Sequence, residues 1–133
     1  RSLCVPHIAD PRSESALLAL TGADCVRHPG TPNSLAALRD TIDAIASAEF
    51  VLAGALHAAI CAAYGVPFAF LDTGHVDLPF KWQDFAASAA IEPIFARNLP
   101  EGRALWAEST GPALRLPPLS PLLEVATLPV RPA

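Results

Sequence analysis

His57 stands in the first turn of an apolar, small-residue stretch that follows Gly54 and the short hydrophobic run Phe50–Ala53. An imidazole titrates near neutrality and can take up or give a proton. The start of a helix presents amides with no intrahelical partner at the positive end of the peptide dipole, so an anion at Ala55, Leu56, His57 and Ala58 would be stabilised. Gly54 lets a ligand approach the backbone. A second imidazole, His7, closes the strand-like run Leu3–Val5 after Pro6, and the sole lysine, Lys81, lies further along. Together these groups suit proton transfer beside a small anion. Asp72, just beyond a later strand, and His75, in the polar loop 72–79, are further candidates, and Arg12 is close enough to His7 to reach an anion. Each has a plainer reading: His57 as a packed histidine, Lys81 as a solvated cation, Asp72 and His75 as loop residues, His28 as a turn residue beside Pro29-Gly30.

The elements that must hold these groups follow from hydrophobic spacing. Leu3–Val5, Cys25–Arg27, Phe50–Ala53 and Pro67–Leu71 are short apolar runs bounded by Pro or Gly, the pattern of strands buried on both faces. Between them, Ser13–Leu20 has helical spacing and is stopped by Thr21-Gly22. Leu35, Leu38, Ile42 and Ile45 recur at steps of three and four behind a cap at Asn33 or Ser34, with Arg39, Asp40 and Asp43 facing away. Ala55–Tyr64 forms a third helix, ended by Gly65. Strands alternating with helices predict an α/β domain, a Rossmann-like three-layer arrangement with a mostly parallel sheet. In such sheets ligands bind beyond the carboxyl ends of the strands, where the strand order reverses. If strands 2 and 3 flank strand 1, that point lies between strands 1 and 3, where His7 and His57 converge. Phe80–Ala90 and a segment capped at Asn98 predict two more helices. The domain is expected over residues 1–111, followed by a Pro-rich tail, 112–133, that holds six of the fourteen prolines.

Bulk properties narrow the function. The chain of 133 residues is 52% hydrophobic and 17% charged, so it has the apolar content for a packed core. A net charge of −4 with one lysine offers no basic face for nucleic acid. Cys4, Cys25 and Cys61 are odd in number and widely spaced, which predicts reduced thiols in a cytoplasmic setting rather than a disulfide framework or a zinc site. No run approaches the roughly 18 apolar residues that span a bilayer. The sequence begins at Arg1, lacks methionine and enters a strand almost at once, which reads as a piece of a longer protein with an N-terminal domain before it.

The stretch Ala48–Phe68, which runs through Leu56-His57-Ala58 to Gly65-Val66-Pro67, resembles the signature of the polysaccharide pyruvyl transferases. Pro79-Phe80-Lys81-Trp82-Gln83-Asp84-Phe85 is similar to that family's Lys-aromatic-x-Asp-aromatic box, and Val5-Pro6-His7 to a Val-Pro-His that ends an earlier strand. The three pieces stand in the family's order and cover roughly residues 3–90. The resemblance implies the C-terminal, donor-binding half of a GT-B-like enzyme. Its reaction would transfer a pyruvyl group from phosphoenolpyruvate to two hydroxyls of a lipid-linked saccharide, as a cyclic ketal of a cell-surface polysaccharide. It implies His57 as the catalytic group, with His7, Gly54, Ala55, Leu56, Ala58, Lys81, Asp72 and His75 around the substrate. It requires no metal or other cofactor, and it implies a cytoplasmic protein working at the inner face of the plasma membrane. The missing N-terminal domain, or self-association through the face it would leave exposed, is the expected protein partner.

Two other functions are compatible with the residues. A nucleotide-sugar-dependent glycosyltransferase of the same two-domain shape would want an acidic residue for a ribose and a loop for a base. A non-catalytic α/β binding module is suggested by Ala55 and Ala58, where many pyruvyl transferases carry Arg and Gly.

Overall fold

The computed structural model describes residues 1–30, 33–74, 76 and 78–126. Five strands, β1 (Ser2–Cys4), β2 (Cys25–Val26), β3 (Phe50–Ala53), β4 (Phe68–Leu71) and β5 (Phe95–Ala96), form one sheet in the order β2-β1-β3-β4-β5, and every pair is parallel. In register, Leu3 pairs with Val51 and Cys25, Val51 with Phe68, and Phe70 with Phe95. Every residue of β1, β3 and β4 is buried, as expected of parallel strands covered on both faces.

The helices are α1 (Glu14–Thr21), α2 (Leu35–Ala46), α3 (Ala55–Ala63), α4 (Pro79–Ser88), α5 (Leu99–Leu105), α6 (Gly111–Ala113) and α7 (Leu119–Val125). Leu3, Val5, Val51, Ala53, Phe68 and Phe70 pack with Ile45 of α2, Ala58, Cys61 and Ala62 of α3, and Trp82 and Ala86 of α4. On the opposite face Cys4, Phe50, Leu52, Ala69, Leu71 and Ala96 pack with Leu99 and Leu105 of α5, and α1 lies against β1 and β2. The result is three layers: α1 and α5, the sheet, then α2, α3 and α4. The expected Rossmann-like α/β architecture is present, and the sheet is wholly rather than mostly parallel.

Local chemistry explains the boundaries. Ser13 and Ser34 accept the amides of Ala16 and Ala37, and Asn98 accepts that of Glu101, so α1, α2 and α5 are each capped by a side chain. Gly65, with φ of +69°, ends the α3 region in a left-handed conformation that strongly favours glycine. Gly102 meets the sheet closely: a Cβ there would stand 2.9 Å from Leu52 and 3.1 Å from Ala69. A side chain at this position would require Leu52, Ala69 and Phe50 to shift for α5 to keep its seat on β3 and β4.

One expectation needs correction. Leu35 and Leu38 are not core residues: they are 63% and 52% exposed, while Thr41 and Ile45 form the buried face of α2. These two leucines line an open groove with Ile8, Pro29, Leu56 and His57. The helix expected behind the Asn98 cap is present as α5 and continues through a π-helical turn over Trp106–Thr110, where the Gly111 amide reaches back to the Trp106 carbonyl. Within the Pro-rich stretch, residues 112–126 include the end of α6 and all of α7, and the Arg115 amide donates to the Ala89 carbonyl at 2.9 Å. Residues 127–133 of the expected tail lie outside the described residues.

Candidate functional site

The strand order reverses between β1 and β3, and the chain leaves both strands toward one crevice. β1 continues through Val5, whose amide donates to the Leu52 carbonyl at 2.8 Å, so Pro6 and His7 are carried just past the sheet edge beside Gly54. There a cleft of about 210 Å³ is lined by Pro6, His7, Ile8, Pro29, Gly54, Ala55, Leu56, His57, Lys81 and Trp82. Its size is below that typical of sites for drug-sized molecules and suits a small metabolite. Ile8, Pro29, Leu56 and His57 also border an adjoining open groove of about 660 Å³ along the exposed leucines of α2.

The wall formed by α3 is a bare helix start. Gly54 is its N-cap and supplies no side chain, and the first intrahelical amide is that of Ala58, which donates to the Gly54 carbonyl at 2.9 Å. The amides of Ala55, Leu56 and His57 therefore precede the helical ladder, with no side chain capping them. Gly54 has an ordinary φ of −75°, and a Cβ there would stand 3.7 Å from Trp82, a normal contact. The fold would accept a larger residue at this position, so the consequence of glycine is the open space it leaves in the cleft.

His57 is half-buried, and burial alone pushes its pKa below the usual histidine value, because the charged ring is poorly solvated there. Near pH 7 the ring is neutral and ready to accept a proton. His7 is held differently. Its Nδ1 accepts the Ala9 amide at 3.0 Å, which fixes the orientation of the ring at the mouth of the cleft. Lys81, in the first turn of α4, is exposed and contributes a cation on the third side of the cleft. Trp82 is almost wholly buried, and its Nε1 has no acceptor among the described residues. A buried donor left without a partner costs about 1–3 kcal/mol, and an acceptor atom of a ligand or an ordered water could satisfy it.

Of the residues expected at the site, His7, Gly54, Ala55, Leu56, His57 and Lys81 share this cleft. Ala58 does not: its side chain is fully buried against the sheet and its amide is inside the helical ladder. Asp72 does not either. It follows β4 and lines a second cleft with Arg12, Leu20, Thr73, Gly74 and Arg97. His75 lies outside the described residues. The chain matches no known family model, no curated protein and no solved structure.

Asp10 was not foreseen. Its side chain is wholly buried and receives the Arg12 amide at 3.0 Å, Arg12 Nη1 at 3.1 and 2.9 Å, and the Thr73 hydroxyl at 2.7 Å. Burial pushes its carboxyl up, but Thr73 and the amide and guanidinium of Arg12 outweigh this and hold the pKa below the ordinary aspartate value. The Asp10 amide also donates to the His7 carbonyl at 2.9 Å. One buried carboxylate thus ties the loop that carries His7 to the loop after β4. The signal available in the sequence was Asp10 two residues before Arg12, with Thr73 just past a strand end.

Among the described residues, no group of three His, Cys, Asp or Glu side chains is placed to hold a metal ion. No described helix is long and apolar enough to cross a membrane.

Proposed function

We propose that this chain is the donor-binding domain of a transferase that moves a pyruvyl group from phosphoenolpyruvate to two hydroxyls of a saccharide, forming a cyclic ketal. The observation that carries the reading is the convergence of His7, the α3 amides, His57 and Lys81 on one small cleft at the strand-order reversal. Phosphoenolpyruvate presents a phosphate and a carboxylate a few bonds apart. A helix start can hold one, and Lys81 and His7 line the same cleft beside the place left for the other.

The proton inventory fits a neutral imidazole. The first sugar hydroxyl adds through oxygen to C2 of the enol, and its proton passes to His57. C3 takes up one proton to become a methyl group, and in this reading the imidazolium gives it. The second hydroxyl then displaces phosphate from C2, and its proton leaves with inorganic phosphate. One group of near-neutral pKa serves as base and then as acid, and the first half needs the ring uncharged beforehand, which its burial favours. The acceptor is proposed to be a lipid-linked saccharide approaching over the groove that runs along Leu35 and Leu38, with a second domain completing the enzyme at the inner face of the plasma membrane.

Thermal unfolding with phosphoenolpyruvate, UDP-sugars and GDP-sugars tests the reading. A ligand at about 100 times its Kd stabilises by roughly 2.7 kcal/mol, which raises Tm by about 10 °C in a domain of this size. Phosphoenolpyruvate should give this shift in the native chain and not in His57→Ala. A shift produced by nucleotide-sugars alone would replace the proposal with glycosyl transfer, and no shift from any of them would favour a binding module.

A further inference from the structure

The carboxyl edge of the sheet carries a second cleft on the opposite face from His57. It has a volume of about 270 Å³ and is lined by Arg12, Leu20, Asp72, Thr73, Gly74 and Arg97. Leu20 belongs to α1 and Arg97 follows β5, so this cleft opens on the α1 and α5 layer, separated from the first by the β1–α1 loop and its Asp10 anchor. We infer that it is a binding site for a hydroxylated carboxylate of the sugar-acid class, distinct from the His57 cleft.

Three features of the lining support that chemistry. Arg12 commits only Nη1 to Asp10, which leaves Nη2 and Nε, the other donors of a planar fork, without a partner among the described residues. Its side chain is 37% exposed, and its position is fixed by the wholly buried Asp10 carboxylate. A guanidinium held in this way is pre-ordered for the two oxygens of a carboxylate. Arg97 adds a second cation from another strand end; its amide is held by Glu101 at 2.9 Å, and no described side chain engages its guanidinium. Asp72 commits Oδ1 to the Gly74 amide at 2.8 Å, an arrangement that orients the carboxylate and leaves Oδ2 to accept from a hydroxyl.

The balance of charges separates this ligand from a phosphate. Asp10 already neutralises part of Arg12, and Asp72 places a negative charge in the cleft, so a dianion gains less here than a monoanion carrying hydroxyl donors. The apolar side chain of Leu20 offers a surface for the C–H face of a sugar ring.

Isothermal titration with D-glucuronate, D-glucose and inorganic phosphate tests the inference, using the native chain, Arg97→Ala and His57→Ala. The Arg97 side chain is exposed and makes no described bond, so its removal leaves the fold intact. Glucuronate should bind the native chain and His57→Ala equally, and Arg97→Ala at least about tenfold more weakly, the loss expected for one charge-assisted hydrogen bond. Glucose should bind at least about tenfold more weakly than glucuronate for the same reason. The inference is overturned if glucuronate does not bind, if Arg97→Ala binds it normally, if His57→Ala weakens it equally, or if phosphate binds as tightly as glucuronate. None of these results depends on whether phosphoenolpyruvate binds at His57.

Discussion

Replacing Asp10 by Asn keeps the shape of the side chain and removes its charge. In the native chain one oxygen receives the Arg12 amide and Nη1, and the other receives Nη1 and the Thr73 hydroxyl. With Asn, an amide nitrogen must take one of these oxygen positions. If it faces Thr73, the hydroxyl can rotate and accept, but the second contact with Arg12 Nη1 becomes donor against donor. One charge-assisted bond is lost, and the remaining ones fall to neutral strength. Hydrogen bonds to charged groups contribute about 1.5–3 kcal/mol, so the loss is about 1.5–3 kcal/mol, with the upper end reduced because Arg12 is partly solvated. Tm should fall by roughly 5–12 °C. The pH dependence adds a sign. The folded pKa of Asp10 is depressed, so its contribution is fully present above the unfolded aspartate value of about 3.9 and is lost as pH falls through the folded value. Urea unfolding of both proteins from pH 7 to pH 3 should therefore show a gap that narrows with acid. Equal stability at pH 7, or a gap that widens as pH falls, would refute the anchoring role.

Other outcomes follow from the same geometry. Gly102→Ala should destabilise by about 1–3 kcal/mol in urea unfolding despite alanine's better helix propensity, because its Cβ meets Leu52, Ala69 and Phe50 at 2.9–3.2 Å; a neutral or stabilising result would contradict the close seating of α5. Cys4 and Cys61 are buried, and burial pushes both thiols up to about 12. Neither should react with iodoacetamide at pH 8 in the folded state, and mass spectrometry that finds either alkylated as fast as in urea would count against that packing. The imidazole of His57 should titrate below 6.5 by NMR in the ligand-free chain, since burial lowers its pKa, and a midpoint at or above that value would remove the neutral base from the mechanism.

Much of this arrangement is legible in the residues themselves. The segments of β1 to β4 announce themselves as short apolar runs bounded by Pro or Gly, and the convergence of His7 with His57 follows once parallel strands reverse their order at β1 and β3. What escaped depends on tertiary context. β5, Phe95–Ala96, is defined by its pairing with Phe70 and Leu71. The leucines of α2 follow a helical stripe, but spacing cannot tell which turns of the stripe are covered. The prolines after 112 mask α7, whose apolar side chains are exposed. Asp10 reads as a solvated loop residue because its partner Thr73 is 63 positions away. The same separation hides the second cleft, since Arg12, Asp72 and Arg97 come from three different strand ends.

The central claim is that the α3 helix start and His57 receive a small phosphorylated acid. Titrating phosphoenolpyruvate into the ¹⁵N-labelled chain reads this directly, because the backbone amides of Ala55, Leu56 and His57 and the indole N–H of Trp82 each give a separate signal. The account predicts that these four move most and saturate together. It is contradicted if they stay still while the ligand binds elsewhere, or if no signal moves at millimolar ligand.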